Sequence, residues 1–394
     1  MAKKTVEDLT DIAGACVFVR VDYNVPLESG AISDDTRIRA SLKTLELLLK
    51  AKARLILASH LGRPKKGPAP EYSLKPVAAR LSELTGRPVP IAPDCVGPDV
   101  RRLAGALPEG GILLLENVRF HKQEEKNDPE FAAQLVADSG ATIFVNDAFG
   151  SAHRAHASTE GVSHKVKTSV AGLLMDVELR YLGMALEAPE RPYVAVLGGA
   201  KVSDKIEVIE NLLPKVDKLL IGGGMAYTFL RAAGTKTGKS LVEEDKLDLA
   251  RALLKKGEAK LVLPVDHVVA SALKEDAETR SLGAHETPEG WMGLDIGPTT
   301  SMVFADAIRK AKLAVWNGPM GVFEMKPFAN GTLAVAQAMA DCNGTTIVGG
   351  GDSVAAVTQM GVADKLSHVS TGGGASLEFL SGQPLPGVAC LQDA

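Results

Sequence analysis

Short apolar runs punctuate the sequence, each followed by glycine or polar residues and then by a stretch with helical spacing. In the first half they fall at 17–21, 55–58, 112–115 and 142–145; in the second they fall at 194–197, 219–221, 261–263, 313–316 and 346–348. Runs this short and continuously apolar predict strands covered on both faces, as in a parallel sheet. The stretches between them predict helices. Residues 36–50 set Ile38, Leu42, Leu45 and Leu49 on one face at three- and four-residue steps. Asp128-Pro129 caps a helix through Phe131 and Leu135 that stops at Gly140, and Asp352-Ser353 opens another ending near Gly361. The alternation predicts α/β architecture with two doubly wound, parallel-sheet (Rossmann-like) domains. Residues 172–186 read as a helix, and the breaker Ala188-Pro189-Glu190-Arg191-Pro192 follows before the strand pattern restarts. The expected division is 1–172, a connector at 173–188, and a second domain at 189–382.

Composition narrows the class. A chain of 394 residues that is 45% apolar can bury two full cores. Its 44 basic and 48 acidic side chains leave a net charge of −4, which argues against general nucleic-acid binding. Cys16, Cys95, Cys342 and Cys390 are too sparse for a disulfide framework and form no C-x-x-C pair. There is no apolar leader, and no run reaches the roughly 18 apolar residues of a membrane span. A soluble, reduced, cytoplasmic protein is expected. Of the 39 glycines, 26 follow residue 172, so the excess belongs to the second half.

Ligands of open parallel sheets bind beyond the carboxyl ends of the strands. In the first half those ends carry Asp22 and Asn24, His60 and Arg63, Arg119, and then His153, Arg154 and His156, with Arg37 opening the first helix. Guanidinium groups pair with carboxylate or phosphate oxygens, so several at one crevice predict a small polyanion such as a phosphorylated acid. Any one arginine could instead be solvated. His153 and His156 serve equally as structural histidines, and Asp22 and Asn24 either accept from substrate hydroxyls or fix a turn.

The second half replaces arginines with glycines. Its strand ends read Gly198-Gly199-Ala200-Lys201 through Lys205, Gly222-Gly223-Gly224, Asn317-Gly318-Pro319 through Glu324, and Gly349-Gly350-Gly351-Asp352-Ser353. Gly372-Gly373-Gly374 adds a further start. Such loops bring backbone N–H groups close to phosphate. Lys201 and Lys205, four apart, would share one face of a helix and neutralise a phosphoryl group, or remain solvated. Asp352 reads as an N-cap, as a carboxylate for magnesium, or as both. Gly238-Lys239-Ser240 ends like a Walker A loop, but Ala233 stands where the first glycine is needed, so a solvent loop is expected. Neither G-x-G-x-x-G after a first strand nor H-E-x-x-H occurs. An anion site in one half and a phosphate cradle in the other suit phosphoryl transfer between a nucleotide and an acidic metabolite.

Eight segments carry a resemblance to a known family. They are RVDYNVP at 20–26, SHLGRP at 59–64, ENVRF at 116–120, NDAFGSAHRAHAS at 146–158, GGAKVSDKI at 198–206, WNGPMGVFE at 316–324, GGGDS at 349–353 and STGGGAS at 370–376. In that order, over nearly the whole chain, they resemble the phosphoglycerate kinases. The resemblance implies a monomeric, cytoplasmic, two-domain enzyme hinged about a cleft, which moves a phosphoryl group between 1,3-bisphosphoglycerate with Mg-ADP and 3-phosphoglycerate with Mg-ATP. It assigns the phosphoglycerate to Asp22, Asn24, Arg37, His60, Arg63, Arg119 and Arg154. Arg37 and Lys201 would flank the group in transfer, and Gly373 would offer its N–H. Lys205, Asn317, Gly350, Gly351 and Ser353 would meet the nucleotide phosphates, Glu324 the ribose, and Asp352 the Mg²⁺. Glu178 and His368 are expected hinge elements, and the tail at 383–394 is expected to fold back onto the first domain. Tyr23 and Ser151 stand where phenylalanine and threonine are usual. A nicotinamide dehydrogenase and a solute-binding protein are the rival readings; the missing fingerprint and export signal speak against them.

Overall fold

A computed structural model describes residues 2–65 and 67–394. The chain forms two compact units, one of residues 2–180 with Pro384–Ala394 and the other Tyr181–Gln383. The change of unit falls inside the helix Leu173–Leu186, within the expected connector.

Among the described residues, the first unit is built on a five-stranded parallel sheet. Its order is Ile112–Leu114, Arg54–Ala58, Cys16–Val21, Ile143–Asp147, Thr168–Ala171. Cys16–Val21 is buried at every residue, which requires cover on both faces and explains why it is apolar apart from Arg20. On one side Val17, Val19, Leu55 and Val145 share an apolar cluster with Ile38, Leu45 and Leu48 of the helix Thr36–Lys50. Leu42, expected on that face, is only half-buried, and Leu48 takes the deeper place. The helix Pro129–Ser139 starts where Asp128 accepts from the Glu130 and Phe131 N–H groups, and it stops at Gly140 with φ +68°.

The second unit repeats the order with one strand more: Leu261–Val262, Lys218–Ile221, Tyr193–Leu197, Leu313–Asn317, Thr345–Gly349, His368–Val369, all parallel. In both sheets the chain leaves its first strand toward one side and returns on the other. A crevice therefore opens beside that strand's carboxyl end. A separate antiparallel sheet, Thr279–Gly283, Asp266–Ala270 and Met292–Ile296, departs from the all-parallel expectation. Its outer strand is exposed or half-buried throughout, so no continuous apolar run marks it.

Candidate functional site

In the first unit the loops after four strands converge on a cationic crevice. Asp22 directly follows Cys16–Val21 and holds Arg37 through an ion pair of 2.8 Å. Asn24 accepts from the Gly62 N–H at 2.8 Å, and Arg119 donates to the Gly62 carbonyl at 2.8 Å. The loop after Arg54–Ala58 is thus clamped from two sides. Asp22 and Asn24 also make the turn between them, with the Asn24 N–H 3.3 Å from Asp22 Oδ1. Arg63 is exposed and makes no hydrogen bond or ion pair among the described residues. Arg154 donates to His153 Nε2 at 3.0 Å.

Beneath them lies a network that joins His60, expected from its strand end, to Arg20 and Glu124, which were not named as site residues. Arg20 is 1% exposed although its strand is otherwise apolar. It donates to Ser158 Oγ at 2.8 Å, contacts His60 Nδ1 at 3.1 Å, and also donates to the Val21 carbonyl. Buried Glu124 accepts from the Ser158 hydroxyl at 2.6 Å and from its N–H at 2.9 Å. The sequence signal was available: one arginine inside an apolar strand requires a counter-charge. Burial, followed by the charges of Arg20, Arg119 and Arg37, holds the His60 pKa well below its usual value. His156 falls to about 4, from burial first and then from Arg119, Arg20 and Arg154. Both histidines are neutral at pH 7 because they are buried and, beyond that, because the arginines crowd them.

In the second unit a cavity of about 380 Å³ opens at the switch point, between Gly198–Lys205 and Asn317. Lys201, Lys205, Gly350, Gly351, Asp352, Ser353 and Gly373 all reach its wall. The two lysines are not on a helix. Lys201 lies exposed in the loop, and Lys205 is the N-cap of Ile206–Leu212, because positive-φ Gly199 and buried Val202 shape a loop there. Lys205 bonds to Asn317 Oδ1, and burial brings its pKa down to about 8 against the pull of Asp204 and Asp352. Asn317 Nδ2 is buried with no hydrogen-bond partner among the described residues.

Asp352 caps nothing. The N-cap of Gly351–Gln359 is Gly350, which turns at φ +90° one residue too early for a side-chain cap. That leaves the Asp352 carboxylate exposed and without a hydrogen bond among the described residues. Ser353 is buried, its Oγ accepting from the Gly318 N–H at 2.6 Å. A Cβ at Gly318 would meet the Gly198 carbonyl at 2.3 Å, so only glycine allows these two loops to touch. Gly373, at φ +52°, precedes Gly374–Leu380.

A second cavity of about 500 Å³ shares Gly199, Ala200, Pro319 and Asp352 with the first. Its wall is largely apolar and includes Leu241, Leu294 and Val322, with exposed Glu324 and Lys239 at the edge. The loop at 238–240 is less solvated than expected, since buried Ser240 Oγ accepts from the Gly293 N–H at 2.9 Å.

Comparison with known proteins agrees with this geometry. The sequence model of the family "Phosphoglycerate kinase" matches residues 6–383. The cytosolic phosphoglycerate kinase of Triticum aestivum is 58% identical over 391 residues, covering 98% of this chain and 97% of the relative. The phosphoglycerate kinase of Moorella thermoacetica is 58% identical over 397 residues, covering 100% of each chain. The solved phosphoglycerate kinase of Coxiella burnetii matches with a TM-score of 0.90 at 43% identity, and that of Pyrococcus horikoshii with 0.85 at 32%. Each of these structures covers 98% of both chains. With the family model spanning nearly its full length, the chain belongs to the phosphoglycerate kinase family.

Proposed function

We propose that this chain catalyses reversible transfer of the acyl phosphate of 1,3-bisphosphoglycerate to Mg-ADP, giving 3-phosphoglycerate and Mg-ATP, as a glycolytic enzyme. The observation that carries the reading is the pairing of two unlike crevices: converging arginines in one unit and a glycine-walled lysine cavity in the other. Arg63, Arg119 and Arg154, with neutral His60, suit the phosphate and carboxylate of the three-carbon acid. Asp22 and Asn24 act there by shaping the crevice, since both are engaged in holding it.

The nucleotide phosphates belong along Lys205, Asn317, Gly350, Gly351 and Ser353, and the base and ribose in the apolar cavity beside Glu324. The unpartnered Asn317 Nδ2 supports this, because a buried donor is most stable where a ligand supplies its acceptor. Asp352 fits Mg²⁺, offering an exposed hard oxygen with no competing hydrogen bond. When bound, Mg²⁺ neutralises charge on the nucleotide phosphates.

Phosphoryl transfer through a loose transition state needs positioning and charge rather than a protein nucleophile. In the ATP-consuming direction the 3-phosphoglycerate carboxylate attacks the γ-phosphorus of ATP in line and ADP leaves. In the ATP-forming direction the terminal phosphate of ADP attacks the acyl phosphorus and the carboxylate leaves. Arg37, fixed by Asp22, and Lys201, exposed on its loop, stabilise the equatorial oxygens, and the Gly373 N–H adds a third donor. Because the acyl phosphate is hydrolysed by water, transfer requires closure of the substrates against solvent. We assign that motion to the helix Leu173–Leu186, where Glu178 is 1% exposed, and to His368, which stacks on Tyr181 at 4.8 Å. No helix among the described residues is long and apolar enough to cross a membrane, and our reading is of a cytoplasmic monomer.

The test is ATP formation from 1,3-bisphosphoglycerate and Mg-ADP by the purified chain. Turnover that stops on chelating the metal and returns on adding Mg²⁺ is the expected result. Nucleotide binding without turnover would refute the reading.

A further inference from the structure

Three unlike side chains meet in the first unit that phosphoryl transfer does not use. Asp94 and Cys95 lie between the bridge of Ile91 with Leu114 and the helix Pro98–Gly105. His121 directly follows the turn Val118–Phe120. Main-chain bonds hold the two segments side by side: the Ala92 N–H donates to the Leu114 carbonyl at 2.8 Å, and the Glu116 N–H to the Asp94 carbonyl at 3.4 Å. The His121 ring is stacked on Phe131, with centroids 5.0 Å apart, so its direction is fixed as well.

A carboxylate oxygen, a sulfur and an imidazole nitrogen from these residues all lie within 4.8 Å of one another. Asp94 Oδ1 stands 2.7 Å from His121 Nε2 and accepts from the Cys95 N–H at 2.6 Å. The Asp94 side chain is 46% exposed and that of His121 26%, whereas Cys95 is buried. The cluster is thus open to solvent on the side of its carboxylate and imidazole. Sulfur, nitrogen and oxygen together are the donor set of Zn²⁺, while Mg²⁺ takes oxygen. Tetrahedral Zn²⁺ spaces such atoms about 3.3–3.6 Å apart, between the 2.7 Å contact and the 4.8 Å limit seen here.

We propose that Asp94, Cys95 and His121 form a binding site for Zn²⁺ or a divalent cation of the same class. Thiolate and carboxylate balance its two charges, and the imidazole ligates as a neutral ring. On binding, the Cys95 thiol proton passes to solvent, and the ring keeps its proton on the nitrogen that does not ligate. Water takes the fourth position, on the exposed side. A cation here ties the 94–95 loop to the segment that carries Arg119.

Co²⁺, which shares this geometry and absorbs light, tests the site on the full chain freed of metal by chelation. One equivalent should produce a near-ultraviolet thiolate charge-transfer band with the visible absorption of a tetrahedral site. Zn²⁺ should abolish both and raise the Tm, and Mg²⁺ at the same concentration should do neither. Cys95→Ser should lose the charge-transfer band. His121→Gln, at a partly exposed position, should weaken Zn²⁺ binding at least about tenfold and reduce the gain in Tm. Cys342→Ser and Cys390→Ser, at the two less buried thiols, should keep the band. No thiolate band in the unaltered chain, a band that survives Cys95→Ser, or equal Zn²⁺ affinity in His121→Gln would each overturn the proposal.

Discussion

The crevice of the first unit and that of the second occupy the same point of the same strand order, yet they are built from opposite materials. The first is walled by long side chains: Arg37, Arg119 and Arg154 stand over a buried base of Arg20, Glu124 and His60. The second is walled by backbone, with Gly318, Gly350 and Gly373 at positive φ and a single half-buried lysine. One topology can thus present anion recognition in two forms. A fixed set of guanidinium groups needs counter-charges underneath to hold it. A glycine cradle needs only that no Cβ intrude. Damage to the first should appear as lost charge, and damage to the second as lost shape.

Replacing Arg37 with alanine should have the largest effect, a fall in kcat on the order of 10³- to 10⁵-fold with ADP binding unchanged. Steady-state kinetics with calorimetric ADP titration measure both; a loss below tenfold would break the charge half of the comparison. Next comes Arg20→Met, which leaves Glu124 buried without its counter-charge. It should cost about 3–5 kcal/mol in urea unfolding, whereas an effect under 1 kcal/mol would show that the arginines need no base. Gly318→Ala tests the other half. Its φ of +95° and the carbonyl 2.3 Å from the new Cβ predict about 1–3 kcal/mol of strain. That strain should appear as weaker ADP binding with the KM for 3-phosphoglycerate unmoved.

The smallest effect is in pH. Lys205, with a pKa of about 8, is charged below that value and neutral above it. The KM for ADP should therefore climb as pH rises from 7.5 to 9.5, and Lys205→Arg should flatten the rise. His156, at about 4, and His60, held lower than usual, stay neutral across that range. The KM for 3-phosphoglycerate should show no such climb. Parallel profiles for the two substrates would mean that the sites titrate alike after all.

The residues that follow apolar strands were legible in the sequence, because burial on both faces leaves a continuous run whose end is visible. Thr36–Lys50 and Pro129–Ser139 were equally clear, since their spacing and caps are local. What required the fold were contacts between distant positions. Glu124 neutralises a residue 104 positions before it in the chain, and no pattern joins them. Lys205 is half-buried and reaches Asn317, 112 positions later, which makes it unlike exposed Lys201 despite the regular spacing. Asp352 resembled a cap until Gly350 turned the chain first. The antiparallel sheet escaped because its outer strand is half-wet and lacks a run to read.

The final eleven residues affect the order of assembly. Lys3 Nζ bonds Asp393 at 2.7 Å, the Lys4 N–H bonds the Gln392 carbonyl at 2.9 Å, and Asn146 Nδ2 donates to the Gly387 carbonyl at 2.8 Å. These partners belong to the unit that is synthesised first, but Pro384–Ala394 leave the ribosome only after all of Tyr181–Gln383. The second unit is one uninterrupted segment and can close its core during translation. The half of the molecule made first is the half completed last, so a chain truncated near its end would carry a finished glycine-cradle unit and an unclasped arginine unit.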